Sequence, residues 1–243
     1  MGDTPAAKCR VRGRQLREVS AVDEETSVRH AGWEERFASG NGFREAGSEE
    51  MRRLSEAAPC PGHTSCPAHA PFPGHASYSG HAPHPHRALD VGCGLGTYAA
   101  LLASLGWETL AVDWAESAVA AVRDRYADLE PRLSARRLDF TEPARTLPRG
   151  VFGLVTMRLV LAFLPDKAAV GERVRELLAP GGVWLVTTPL AERLPEARRA
   201  IGLAAEDVST FTEGWAEGAW YDLEAGGLRC FVLRKERAAE HPR

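Results

Sequence analysis

The run Ala88-Leu89-Asp90-Val91-Gly92-Cys93-Gly94-Leu95-Gly96-Thr97 places one acid and three alternating glycines within ten residues. Glycine lets a chain turn tightly and approach a ligand with no Cβ in the way. A helix that opens after such a turn offers unpaired N–H groups to a polar or anionic group. A second acid, Asp113, stands seventeen positions after Gly96 and ends the apolar run Thr109-Leu110-Ala111-Val112. A carboxylate at the end of a second strand can accept both hydroxyls of a ribose. Turn and acids together describe a nucleoside-bearing ligand lying across strand ends. The nicotinamide fingerprint Gly-x-Gly-x-x-Gly or Ala fails here, because its third position is Thr97.

Such residues must be held by regular elements. The apolar stretch before Gly92 reads as a buried strand, and the Ala/Leu-rich run from Tyr98 to Leu105 as the helix that follows the turn. From Arg87 onward strand and helix patterns alternate. Strands are expected near 87–91, 108–113, 134–139, 152–157 and 182–188, helices near 97–105, 115–128 and 166–179, and further helical stretches between Pro195 and Thr212. The end of the chain reads differently: Ala219 to Glu224, a turn at Ala225-Gly226-Gly227, then Leu228 to Arg234, which is a hairpin. The fold class is therefore α/β, with ligands at the carboxyl ends of a parallel sheet.

The order Asp-x-Gly-x-Gly-x-Gly resembles motif I of the class I S-adenosylmethionine-dependent methyltransferases. The resemblance continues through Asp113-Trp114, Leu138-Asp139-Phe140, Phe152 to Phe163, and Leu177-Leu178-Ala179-Pro180-Gly181-Gly182 leading into Val183-Trp184-Leu185-Val186. It covers about residues 87–190. It implies a Rossmann-like, doubly wound seven-stranded sheet, mostly parallel with a C-terminal antiparallel hairpin. It also implies S-adenosylmethionine as cofactor and transfer of its methyl group to a small-molecule acceptor. By that resemblance Gly92 and Gly94 pass close to the methionine portion, Asp90 holds its ammonium, and Asp113 takes the ribose. Trp114 and Asp139 flank the adenine and Phe140 covers it, although core packing explains Trp114 and Phe140 equally well. Cys93 stands where any small side chain suffices.

The acceptor end is less defined. Arg158 follows the fourth strand and either orients an anionic substrate or begins a solvated helix. No histidine lies between His86 and His241, so a histidine base would have to be His30 or come from the 59–86 segment. Trp33, Arg36 and Phe37 resemble a lid helix of small-molecule methyltransferases; packing of an accessory helix is the alternative. The family usually carries an acid after the aromatic that opens strand four, where this chain has Phe152-Gly153. The Asn/Asp-Pro-Pro-Tyr/Phe motif of amino- and adenine-N-methyltransferases is replaced by Thr156-Met157-Arg158-Leu159. Two other readings of the same fold are an aminopropyltransferase, which expects polyamine-gripping acids after strand four, and a non-catalytic S-adenosylmethionine-binding protein.

The rest of the chain is organised around that core. Residues 1–30 are polar with clustered arginines and read as a leader, either a solvated tail or a nucleic-acid arm. Residues 31–58 read as lid helices, with Ser48-Glu49-Glu50 starting one that runs to about Ala57. In 59–86, His63, His69, His75 and His81 recur at a period of six among prolines and glycines. That segment is either a metal-binding tract or a low-complexity linker; it has no known zinc spacing, and no metal site is assigned. Residues 87–236 form the methyltransferase domain. The net charge of −3 argues against nucleic acid as a partner, and no apolar run reaches membrane-spanning length. Five cysteines without a disulfide framework lead to the expectation of a cytoplasmic protein. Oligomeric state is not readable.

Overall fold

The computed structural model describes residues 32–39, 46–57, 86–142, 147–223 and 227–237. His30, Phe43 and the histidine tract up to residue 85 lie outside them. The first described element is a helix over residues 32–38, α1. It is followed by α2 (Ser48–Ala57), β1 (Arg87–Val91), α3 (Thr97–Ser104), β2 (Glu108–Asp113), α4 (Glu116–Arg125), β3 (Leu133–Arg137) and β4 (Phe152–Arg158). Then come α5 (Lys167–Leu177), β5 (Leu178–Thr188), α6 (Ala205–Thr212), β6 (Glu217–Leu223) and β7 (Leu228–Arg234), with short 3-10 turns between.

The strands form one seven-stranded sheet in the order β3-β2-β1-β4-β5-β7-β6. Pairings are parallel from β3 through β5, and β7 runs antiparallel to both of its neighbours. The order reverses direction at the β1–β4 boundary, where a doubly wound sheet leaves a crevice outside its strand ends. Central parallel strands are covered on both faces and so read as continuous apolar runs. Residues 152–157 of β4 are all buried, which fits that rule. One face packs Leu89, Val155, Met157, Trp184 and Phe211. The other packs Ala88, Tyr98, Leu102, Trp107 and Leu185, with Leu54 of α2 inserted among them. No helix among the described residues is long and apolar enough to cross a membrane.

Boundaries differ from expectation in instructive places. α5 stops at Leu177 and β5 starts at Leu178, four residues before the expected strand, because Leu178 pairs with Phe152 ahead of a register shift. The segment 127–129 is a 3-10 turn rather than the tail of α4. β3 ends at Arg137, leaving Leu138 and Asp139 beyond the strand.

Candidate cofactor and acceptor site

The glycine turn closes by main-chain hydrogen bonds. The N–H groups of Gly92 and Cys93 donate to the Val112 carbonyl at 2.8 and 3.1 Å, tying the turn to the end of β2. Gly92, Gly94 and Gly96 all have positive φ, at 64°, 50° and 79°. Side chains are excluded there as well: a Cβ on Gly92 would lie 2.3 Å from Val160 Cγ2, and one on Gly96 would lie 2.8 Å from Val122. The alternating glycines are therefore demanded by both backbone conformation and space.

Asp113 ends β2 and is 5% exposed. The Gly94 N–H donates to its Oδ2 at 3.0 Å and the Ala115 N–H to its Oδ1 at 3.0 Å. Burial raises its pKa, the N–H groups of Ala115, Gly94 and Trp114 oppose the rise, and Glu34 adds to it. Asp90 sits at the sheet reversal, paired in register with Thr156 of β4, whose hydroxyl donates to Asp90 Oδ1 at 2.6 Å. Burial pushes Asp90 up to about 7; the Thr156 bond and Arg158 pull it down, and Asp113 pushes it up. Two interacting buried acids with raised pKa values, at the carboxyl ends of β1 and β2, mark a candidate functional site on physical grounds.

The main chain also brings the third strand's end to this place, since Leu138 N–H donates to the Asp113 carbonyl at 2.8 Å. Trp114 is half-buried there, its carbonyl taken by Arg137 at 2.9 Å. Asp139 is half-buried and accepts from the Thr141 N–H and hydroxyl at 2.8 and 2.6 Å. Phe140 takes the core-packing position that was its alternative reading. It is 5% exposed, lies in the main apolar core, and carries the Arg173 guanidinium over its ring at 4.3 Å. Cys93 is buried, and burial raises its pKa well above the usual thiol value, so it is an unreactive spacer.

α1 lies against the crevice at three points. Glu34 accepts from the Ser117 N–H at 3.0 Å, and Ser117 Oγ donates back to the Glu34 carbonyl at 3.3 Å, so Glu34 satisfies an orphan donor at the start of α4. Phe37 covers the turn, its ring edge 3.3 Å from where a Gly94 Cβ would stand. Trp33 meets Phe163 edge-on, with centroids 5.2 Å apart, and the Arg36 guanidinium lies 5.3 Å over the Trp33 ring.

Arg158 is not a solvated helix-start residue; it is paired with an acid of α2. Its Nε and Nη2 donate to the two carboxylate oxygens of Glu50 on α2, at 2.7 and 3.1 Å. Tyr98 donates to Glu50 Oε1 at 2.7 Å and shares a 3.1 Å hydrogen bond with Thr187 of β5. Side-chain exposure is 2% for Glu50 and 16% for Arg158, so this is a buried ion pair. Sequence reasoning took Glu50 only as a first-turn acid. The available signal was its spacing: Glu50 and Leu54 share one face of α2, the face that is buried. Leu159 follows with φ 58°, a strained value for a leucine, its N–H bonded to the Thr187 carbonyl at 2.8 Å.

Residues 89–184 match the family described as "Methyltransferase domain". The chain is 36% identical over 101 residues to a probable S-adenosylmethionine-dependent methyltransferase of Mycolicibacterium smegmatis, covering 42% of this chain and 37% of that protein. It is 35% identical over 154 residues to trans-aconitate 2-methyltransferase of Methylobacterium radiotolerans, covering 58% and 56%. The chain thus spans 37% and 56% of the lengths of these two relatives. A solved S-adenosylmethionine-dependent methyltransferase from Mesorhizobium loti shares the fold with a TM-score of 0.53 at 18% identity, over 61% of this chain and 90% of that one. With the glycine turn, the two buried acids and the seven-stranded order already in place, the domain built around residues 89–184 belongs to the class I S-adenosylmethionine-dependent methyltransferases.

Proposed function

We propose that the protein transfers a methyl group from S-adenosylmethionine to a small-molecule acceptor, leaving S-adenosylhomocysteine. The observation that carries this reading is the Asp113 carboxylate. It is buried, held by the Gly94 and Ala115 N–H groups, and placed at the end of β2 beside the glycine turn. A carboxylate so placed fits the two ribose hydroxyls.

The remaining roles follow from position. Asp90 answers the ammonium, and the Gly92–Gly94 backbone passes beside the methionine portion. Trp114 directly after β2 and Asp139 just past β3 flank the adenine. The bound cofactor supplies a methyl carbon already activated by its sulfonium, so the protein's contribution is alignment and exclusion of water. α1 provides the exclusion: Trp33 and Phe37 lie across the β1–β4 end of the crevice. Val160 and Phe163 form the wall after β4. This wall would hold an acceptor beside the glycine turn, where a bound cofactor would present its methyl carbon, and solvent or a base would take the proton of an acceptor hydroxyl.

An aminopropyl donor would need acids after β4 to grip a polyamine, and Glu50, the buried acid there, is committed to Arg158. We extend the reading to the chain as a whole. Residues 31–58 serve as a lid and wall, 59–86 as a linker, and the protein acts in the cytoplasm on a small molecule.

Calorimetry against S-adenosylhomocysteine and NAD, followed by transfer of a labelled methyl group to a metabolite panel, tests this. Binding of S-adenosylhomocysteine without NAD, together with label transfer, is expected. NAD binding without S-adenosylhomocysteine binding would contradict the assignment.

A further inference from the structure

The acceptor end of the crevice is aromatic, and its buried charges neutralise each other. Trp33 and Phe37 from α1 stack at 6.0 Å and 30°, and Trp33 meets Phe163 edge-on at 5.2 Å and 80°. All three rings are half-buried, and Trp33 and Phe163 keep part of their surface for a ligand to cover. Phe163 sits in the turn directly after β4. Val160 of the same turn fills the space beside Gly92, which places this apolar wall next to the glycine turn.

The buried charges are spent internally. Glu50 takes two hydrogen bonds from Arg158 and one from Tyr98. A polycarboxylate would have to pull Arg158 away from a buried carboxylate, and an ammonium would have to pull Glu50 away from a buried guanidinium. Breaking such a pair is costly because it strands a desolvated charge. Arg36 is exposed on α1 and lies over the Trp33 ring, where it polarises the indole instead of reaching β4.

Building on the methyltransferase reading, we propose that the acceptor is an uncharged, planar aromatic molecule. Its ring packs against Trp33 and Phe163, and its nucleophilic atom is a ring substituent such as a hydroxyl. Aromatic surfaces prefer offset and edge-on partners, and half-buried rings already set in that geometry are pre-organised to receive another. Specificity then comes from flatness and lack of charge, with the Glu50–Arg158 pair excluding ionic competitors.

The test uses the full chain saturated with S-adenosylhomocysteine, titrated calorimetrically with 2,3-dihydroxynaphthalene and with trans-aconitate, the acid in the name of one relative. The naphthalene diol should bind and trans-aconitate should give no heat. Phe163→Ala should weaken the diol more than tenfold with S-adenosylhomocysteine affinity unchanged, while Trp33→Phe should keep most of it. Trans-aconitate binding more tightly than the diol, and losing affinity in Arg36→Ala, would overturn the proposal. So would S-adenosylhomocysteine binding with no aromatic binding, or an indifferent Phe163→Ala. Failure to bind S-adenosylhomocysteine at all would remove the methyltransferase reading and this one with it.

Discussion

The crevice has two ends, and they are built by different means. At the β2 end the main chain does most of the work. The Gly92 and Cys93 N–H groups bind the Val112 carbonyl, the Gly94 and Ala115 N–H groups bind Asp113, and every partner lies between residues 92 and 115. At the β4 end side chains from distant segments do the work. Glu50 reaches Arg158 across 108 positions, Tyr98 reaches Thr187 across 89, and Trp33 meets Phe163. A main-chain site tolerates change in the residues around it and fixes one ligand chemistry. A side-chain site assembled from remote segments can be altered one residue at a time.

The largest effect should come from breaking the remote end. Glu50→Ala strands the buried Arg158 guanidinium and should cost about 3–5 kcal/mol of stability, measured by urea unfolding. The double variant Glu50→Leu with Arg158→Leu should recover most of that loss, because an apolar pair of similar volume removes both desolvated charges. A single variant as stable as wild type would mean that the pair does not anchor α2.

A second effect separates the ends by pH. Asp90 has its pKa raised by burial from 3.8 to about 7. The folded protein therefore holds this proton more tightly than the unfolded chain. Asp90 opposes folding increasingly as pH rises from about 4 to 7, a contribution that becomes constant above that. An ammonium ligand needs the ionised form. S-adenosylhomocysteine affinity should therefore fall by up to about tenfold per pH unit below 7 and level off above it. Asp90→Asn should flatten that slope at weaker affinity. A wild-type affinity independent of pH between 5.5 and 8 would remove Asp90 from the ammonium.

The smallest effect concerns the contact joining α1 to the cofactor end. Glu34→Ala leaves the Ser117 N–H without its partner, a loss comparable to an N-cap at about 1 kcal/mol. Stopped-flow release of S-adenosylhomocysteine should speed up roughly fivefold. An unchanged off-rate would show that α1 does not gate the cofactor.

The same contrast decides what could be read from sequence. The strand–turn–helix around Gly92 and the acid at Asp113 were legible because each is local: apolar periodicity gives the strands, and positive-φ glycines fix the turn. The alternation of strands and helices gave the α/β class, the paired strands around a glycine turn gave the terminal hairpin, and the strand order came only with the structure. Arg158 was identified as important, but its partner was not, because nothing local links it to Glu50. Thr156 stood out in sequence only within the segment that replaces a motif; its register position opposite Asp90, which makes it that acid's hydrogen-bond donor, is a property of the sheet. For Phe140 the sequence left adenine contact and core packing open, and the structure places the ring in the core.

The most direct test of the account is one calorimetric comparison of S-adenosylhomocysteine binding to the wild type, to Asp113→Ala, and to Glu50→Leu with Arg158→Leu. Asp113→Ala loses charge-assisted hydrogen bonds worth about 1.5–3 kcal/mol each, so its affinity should drop more than tenfold. The double variant, altered only at the acceptor end, should bind within about twofold of wild type. An undiminished Asp113→Ala, or a double variant weakened as much as Asp113→Ala, would contradict the division of the crevice into a main-chain cofactor end and a side-chain acceptor end.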